Sequence, residues 1–125
     1  MKKIISTPRA PKAVGPYSQA TEASGTTLYV SGQLPVDPAT GTMPESIEEQ
    51  TRQALENTMA ILAEAGYAPE HVVKSTVLLA DIGDFAAMNG VYARYYTRDM
   101  PARVCYQAAA LPMGAKVEIE TIAVK

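Results

Sequence analysis

The sequence predicts an α+β fold in which six strands and two helices alternate in the order β-β-β-α-β-α-β-β. Three observations predict this class: a capped helix of period 3.6 near the middle, a β-branched run after it, and two alternating runs at the end. A chain of 125 residues is long enough for one hydrophobic core and too short for two, so residues 1–125 are expected to form a single domain.

The N-terminal part of the chain is predicted to form three short strands separated by loops. The strands are Lys2–Ser6, Gln19–Ala23 and Thr27–Leu34. Residues 10–20 contain two prolines and a glycine, which favour a loop. The proline-containing segment 35–45 ends the pairing, because proline cannot donate to a strand ladder.

The first helix has clear start and stop signals. Ser46 is a good N-cap, and Glu49 three residues later completes a capping box. Gly66 is the expected stop. Between them, residues at three- and four-residue spacing predict one buried stripe: Ile47, Thr51, Ala54, Leu55, Thr58, Leu62 and Ala65.

The second half of the chain alternates strands with one further helix. The run Val72–Ala80 is β-branched and nearly uninterrupted, which is typical of a strand covered on both faces. A second helix is predicted from Asp84 to Tyr96, with Phe85, Met88, Tyr92 and either Tyr95 or Tyr96 on its apolar side. The strands Arg103–Ala109 and Lys116–Val124 complete the sequence.

Two helices cannot cover both faces of a six-stranded sheet, so they are expected to lie on one face. The side chains predicted to pack against them are Val104, Tyr106, Val117 and Ile119. The other face would then carry Arg103, Cys105, Gln107, Glu118, Glu120, Ile122 and Val124. Because this face mixes apolar side chains with charges, we expect another copy of the chain to cover it, with the polar residues lining a cleft between subunits.

The composition excludes several classes of protein. The net charge is −2 and the eleven lysines and arginines are scattered, which argues against general phosphate or nucleic-acid binding. The single cysteine cannot form an internal disulfide. Because the N-terminal lysines precede no apolar run and no segment approaches the ~20 apolar residues of a membrane span, we expect a cytoplasmic protein.

Several polar residues have both a structural and a functional interpretation. Arg103 is either a surface residue of an edge strand or a receptor for a carboxylate, whose two oxygens match the guanidinium fork. Glu118 and Glu120 either pair with lysines or, in a cleft, hold or activate a water molecule. Cys105 needs a base to act as a nucleophile, and the only histidine, His71, follows a predicted turn. One cysteine and one histidine do not make a convincing metal site.

Four segments together resemble the reactive-intermediate deaminase family of the RidA type. They are GPYSQA at 15–20, YVSGQLPVDPATG at 29–41, FAAMNGVYARYY at 85–96 and PARVCYQAAALPMGAKVEIETIAV at 101–124. The resemblance implies a chorismate-mutase-like homotrimer with a mixed six-stranded sheet and two helices on its outer face. The three sheets would form a central barrel, with sites at the subunit interfaces.

The resemblance also implies an activity, hydrolysis of enamines and imines such as 2-aminoacrylate and 2-iminopropanoate to 2-oxo acids and ammonia, without metal or cofactor. It assigns carboxylate binding to Arg103 and water positioning to Glu118, and Tyr17 matches the loop tyrosine of the site. The remaining residues that match the family's site are Ser31, Gly32, Asn89 and Cys105.

Two other functions use the same residues. A sensor or carrier of small carboxylates would also use Arg103, but it would bind saturably without turnover. RNA cleavage is also ascribed to the family, but the scattered cations and the lack of an aromatic ladder beside them disfavour it.

Overall fold

Six strands and two helices follow one another along the chain in the predicted succession in the computed structural model, which describes residues 1–125. The strands are β1 (Lys2–Ile5), β2 (Ala20–Ala23), β3 (Thr27–Gln33), β4 (Val72–Leu79), β5 (Ala102–Gln107) and β6 (Val117–Val124). The helices are α1 (Ile47–Glu64) and α2 (Phe85–Tyr92). The α+β class is therefore confirmed.

The strands form two sheets, so the prediction of one six-stranded sheet is wrong. The larger sheet has the order β3-β6-β4-β5, in which only β4 and β5 are parallel, and β1 pairs with β2 in a separate antiparallel ribbon. A single β-bridge joins Ser18, just before β2, to Ala102, the first residue of β5. The pairing does not extend from Ala102 to Pro101, because proline has no N–H to donate.

Helix α1 begins and ends where the sequence predicts. The Ser46 hydroxyl accepts a hydrogen bond from the Glu49 N–H at 3.1 Å. The reciprocal half of the predicted capping box is absent, because the Glu49 carboxylate binds the Arg52 Nε at 3.0 Å instead. At the C-terminal end Gly66 has φ 83°, and the N–H groups of Gly66 and Tyr67 donate to carbonyls of the last turn, which forms a Schellman motif.

The core lies between the two helices and one face of the larger sheet. The predicted stripe of α1 is buried except for Ala65, and Gln50 joins it because its amide bonds the Pro44 carbonyl and the Lys116 N–H, both at 2.8 Å. Helix α2 ends at Tyr92, one turn earlier than predicted, although Tyr96 is still buried.

Strand β5 presents the opposite face from the one predicted. Val77 of β4 pairs with both Cys105 of β5 and Ile119 of β6, so these three side chains share a face of the sheet. Ile119 is completely buried beneath the helices. By alternation, Arg103, Cys105 and Gln107 therefore lie on the helix-covered face and not on the open one.

Two residues predicted to pack against the helices point to the open face instead. Val104 is 42% exposed and Tyr106 is 50% exposed. Leu78 pairs with Tyr106 on one side and Glu118 on the other, which places all three on the open face. The prediction failed because a shift of one residue exchanges the two faces of a strand, and β5 takes its register from β4 rather than from β6.

The open face of the sheet is partly apolar and has no covering layer within the chain. Tyr29 is 76% exposed on it and Ile122 is half-buried, whereas Val124, also predicted to face outward, is already buried. The prediction that β4 is covered on both faces is wrong for the single chain, because Thr76 and Leu78 remain half-buried.

Neither helix has the length and apolar character needed to cross a membrane.

Candidate functional site

Arg103 lies among aromatic rings at the edge of the larger sheet. Its guanidinium carbon is 4.9 Å from the ring centre of Tyr92, 5.3 Å from that of Tyr17 and 5.7 Å from that of Phe85. Its Nη1 donates to the Asn89 Oδ1 at 2.7 Å. We call these five residues the arginine cluster. Aromatic faces and one amide hold the cation, and no carboxylate forms an ion pair with it.

Local hydrogen bonds bring the elements of the arginine cluster together. The Ser18 N–H donates to the Pro101 carbonyl at 3.0 Å and the Ser18 hydroxyl donates to the Met100 carbonyl at 2.5 Å, so the Tyr17 loop is fixed beside the start of β5. At the other end of β5, the Gln107 side chain accepts from the N–H of Ile82 at 2.9 Å, just before α2. These contacts place α2 over β5.

Two members of the arginine cluster, Phe85 and Tyr92, were missed as site residues by sequence reasoning. Both were predicted only as the apolar side of the second helix. The signal was available, since Phe85, Asn89 and Tyr92 are spaced by four and three residues and lie on one side of α2. An asparagine inside an otherwise apolar helical stripe indicates that the stripe contacts a polar group.

Cys105 follows Arg103 on the same face of β5, where it is half-buried and packs against the core. Burial raises the pKa of the Cys105 thiol, an effect that the neighbouring Arg103 guanidinium partly offsets. A raised pKa reduces the thiolate fraction at neutral pH, and the thiolate is the nucleophilic form. The environment therefore suits a pocket wall better than a nucleophile.

We expect iodoacetamide to alkylate Cys105 more slowly than free cysteine at neutral pH, with the rise in rate displaced to higher pH. Mass spectrometry of the alkylated chain between about pH 7 and pH 10 measures the profile, and Cys105 is the only cysteine present. Arg103→Ala should move the profile further upward, because it removes the charge that offsets burial. A rate equal to that of free cysteine at neutral pH would contradict this account.

A second group of predicted residues lies on the open face of the sheet. Glu118 borders a small cavity of about 220 Å³ together with Gly32, Tyr106 and Glu120. Gly32 sits in the irregular part of β3, so close to Glu118 that a methyl group added to it would overlap the carboxylate. Ser31 is exposed and lines an adjoining cavity of about 230 Å³. We call these five residues the glutamate cluster.

The two clusters lie on opposite faces of one sheet, so a single chain does not bring them together. Arg103 pairs with Ser75 on the helix-covered face, whereas Glu118 pairs with Leu78 on the open face. Of the predicted residues, the structure gathers Tyr17, Asn89, Arg103 and Cys105 on one side. It gathers Ser31, Gly32 and Glu118 on the other.

Neither cluster has the composition of a metal centre. No three side chains of the His, Cys, Asp or Glu type converge on a point where a metal ion could bind. A further groove of about 480 Å³ runs between α1 and the end of β3, and no charged side chain lines it. The prediction that no cofactor is needed stays a prediction.

The fold and the arginine cluster define a class of small α+β proteins suited to binding small molecules. Within this class the chain belongs to the Endoribonuclease L-PSP family, which matches residues 7–125. The family resemblance stated from the sequence is thereby confirmed.

Relatives of the chain include proteins that are named for an activity. The chain is 53% identical over 126 residues to the 2-iminobutanoate/2-iminopropanoate deaminase of Capra hircus, covering 100% of the chain and 91% of that relative. The Mus musculus deaminase of the same name is 49% identical over 126 residues, covering 100% of the chain and 93% of that relative. The crystal structure of E. coli TdcF with bound serine superposes with a TM-score of 0.78 at 44% identity, covering 98% of each chain.

Proposed function

We propose that the chain is a deaminase that hydrolyses reactive enamines and imines, 2-aminoacrylate and 2-iminopropanoate among them, to 2-oxo acids and ammonia. The observation that carries the proposal is an arginine held by aromatic rings and one amide, with no carboxylate paired to it. Such a guanidinium is suited to the carboxylate of a small substrate. Relatives named as 2-iminobutanoate/2-iminopropanoate deaminases, at about half identity over the full chain, support the same substrate class.

The active site is formed between two copies of the chain in a homotrimer. The arginine cluster and the glutamate cluster cannot meet within one chain, because they lie on opposite faces of its sheet. The uncovered face that carries Glu118 also exposes Tyr29 and Tyr106, apolar area that a second copy would bury. The site is completed when the arginine cluster of one chain docks against the open face of the next chain. Repeating this contact around a three-fold axis gives a closed ring of three chains.

Arg103 would bind the substrate carboxylate through two charge-assisted hydrogen bonds and so fix the imine carbon. Asn89 occupies one N–H of the Nη1 group, which leaves the rest of the fork for the ligand. A protonated imine carbon is already electrophilic, so the protein needs to supply position and a proton acceptor rather than a strong nucleophile. Tyr17, beside the guanidinium, would close the pocket.

Glu118 of the adjacent copy would accept a proton from water as the water oxygen bonds to the imine carbon. The resulting carbinolamine then collapses: Glu118 returns its proton to the amine, the C–N bond breaks as the carbonyl forms, and the hydroxyl proton passes through the Glu118 carboxylate to the departing ammonia. One protonated imine and one water give one 2-oxo acid and one ammonium ion, with no change in oxidation state. Ser31 and Gly32 line the same end of the pocket.

A coupled assay tests the proposal. A dehydratase generates 2-aminoacrylate in place and semicarbazide traps the imine that remains. Wild type should suppress semicarbazone formation, whereas Arg103→Ala should lose about 100-fold or more in kcat/KM through two missing charge-assisted bonds. Arg94→Ala is the matched control, because Arg94 is exposed and belongs to neither cluster. Equal activity of Arg103→Ala and wild type would refute the carboxylate role, and saturable 2-oxo acid binding without any turnover would indicate a carrier.

Ribonuclease activity, suggested by the family's description, is disfavoured by the placement of the cations. Arg52 and Arg98 pair with glutamates, and Lys2 and Lys125 bind backbone carbonyls. The net charge is −2 and the other cations are scattered along the chain, which disfavours binding along a phosphate backbone. The cytoplasmic location and the single RidA-like domain over residues 1–125 remain predictions from the sequence.

A further inference from the structure

We propose that Tyr92 is a positioning residue for Arg103, holding the plane of the guanidinium through its ring face. The inference rests on the proposed carboxylate-binding role of Arg103. It concerns a residue that touches the arginine rather than the substrate, so its effect on catalysis acts through the orientation of the fork.

Tyr92 is the closest and most deeply buried of the three rings around the guanidinium. Its centre is 4.9 Å from the guanidinium carbon, against 5.3 Å for Tyr17 and 5.7 Å for Phe85. Tyr92 is completely buried, whereas Phe85 is 37% exposed and Tyr17 sits half-buried on a loop. Cation–π attraction is stronger at a desolvated ring, so the Tyr92 face contributes the most of the three.

Tyr92 and Asn89 constrain the guanidinium in complementary ways. The 2.7 Å hydrogen bond to Asn89 holds one N–H of the fork, and the Tyr92 ring face, 4.9 Å from the guanidinium carbon, would restrain the plane of the fork. Bidentate recognition of a carboxylate requires both, because the two N–H bonds must lie in the plane of the carboxylate. An arginine anchored by Asn89 alone could still rotate about that bond.

The hydroxyl of Tyr92 is buried in the core. It lies beside the Ser75 hydroxyl, and Ser75 is the residue of β4 that pairs with Arg103 in β5. Both hydroxyls are buried, and neither forms a hydrogen bond with good geometry. Burial raises the pKa of Tyr92 to about 12, so the hydroxyl stays neutral and the ring keeps its place at working pH.

Tyr96 shares the structural setting of Tyr92 but does not contact the arginine. It follows about one helical turn later, is 1% exposed, and stacks on Tyr92 with ring centres 4.7 Å apart. Its hydroxyl lies beside that of Thr121, in the same arrangement as the Tyr92 and Ser75 pair. A role confined to core packing would therefore be equal at the two positions, whereas a positioning role belongs to Tyr92 alone.

Fluorination of the ring tests the proposal without changing its shape. Phenylalanine carrying no, one, two or three ring fluorines is placed at position 92, and the Kd of 2-oxobutanoate is measured by calorimetry on the purified full-length protein. Each fluorine withdraws electron density from the ring face, so affinity should fall stepwise, by about tenfold in total. The same series at position 96 should leave the Kd within about twofold. The proposal would be overturned if the Kd did not change with the number of fluorines at position 92. It would also be overturned if the Kd changed as much with fluorination at position 96.

Truncation gives a second, kinetic readout. Tyr92→Leu should raise the KM for the imine about tenfold or more with a smaller effect on kcat, while Tyr96→Leu should lower the melting temperature similarly and leave KM unchanged. If Tyr92→Leu does not fold, the fluorinated series decides. A fluorine-dependent Kd in a protein that turns over no imine would refute the deaminase function and leave Tyr92's role intact. Normal imine turnover together with a Kd that does not change with fluorination would refute the role of Tyr92 and leave the deaminase function intact.

Discussion

Equal mixing of two inactive variants, Arg103→Ala and Glu118→Gln, is expected to restore deaminase activity once their subunits exchange. Each variant alone lacks one half of every site. In a mixed trimer, an intact arginine cluster can face an intact glutamate cluster on the adjacent chain. Random assembly makes about one site in four complete, so the mixture should reach about a quarter of wild-type activity.

Subunit exchange is produced by unfolding the two variants together and refolding them, and activity is measured by the semicarbazide competition. Each variant refolded alone serves as the control and should stay inactive. The result separates the two possible site architectures, because a site built within one chain would remain inactive in every mixture. An inactive mixture that has refolded into trimers would therefore contradict the shared site.

Gly32→Ala is expected to abolish most activity while leaving the fold intact. The added methyl group would overlap the Glu118 carboxylate and side chain, whose atoms are the three nearest to it. Since the end of a glutamate side chain can swing away, the sheet need not move, but the carboxylate leaves its place beside the cavity. We expect a loss of about 100-fold in kcat, comparable to Glu118→Gln, because a displaced base contributes little to proton transfer.

The unfolding midpoint of Gly32→Ala should change little relative to that of wild type. Gly90→Ala is the matched control: it adds the same methyl group to an exposed position in α2 with no atom within 4 Å, apart from its chain neighbours and the backbone of α2 itself. That change should raise stability by about 0.5–1 kcal/mol, since alanine favours a helix more than glycine does, and should leave kcat unchanged. Full activity in Gly32→Ala would show that the position of Glu118 does not matter.

The sequence predicted the local elements well because their signals are local. The Ser46 cap, the stripe of α1 and the Gly66 stop involve residues within a few positions of one another, and all three are found in the structure. Only one of the two hydrogen bonds of the predicted capping box forms, because the Glu49 carboxylate pairs with Arg52, about one turn away. The end of α2 was placed too late, since Tyr96 is buried without being helical.

The faces of β5 could not be predicted from the sequence. Alternation divides its residues into two sets, Arg103 with Cys105 and Val104 with Tyr106, but does not say which set faces the core. Hydrophobicity favoured Val104 and Tyr106 as the buried set. The structure turns the other set toward the helices, where it is half-buried, because the aromatic residues of α2 can accommodate a cation that water would otherwise solvate.

By itself, the sequence determined the α+β class, the succession of elements, the family and the identity of the polar residues that the proposed function uses. These depend on periodicity, caps and motifs, which are properties of neighbouring positions. Only the tertiary structure decided that the arginine cluster and the glutamate cluster lie on opposite faces of the sheet. That outcome depends on the register between β4 and β5, which distant contacts set and in which a shift of one residue exchanges the two faces.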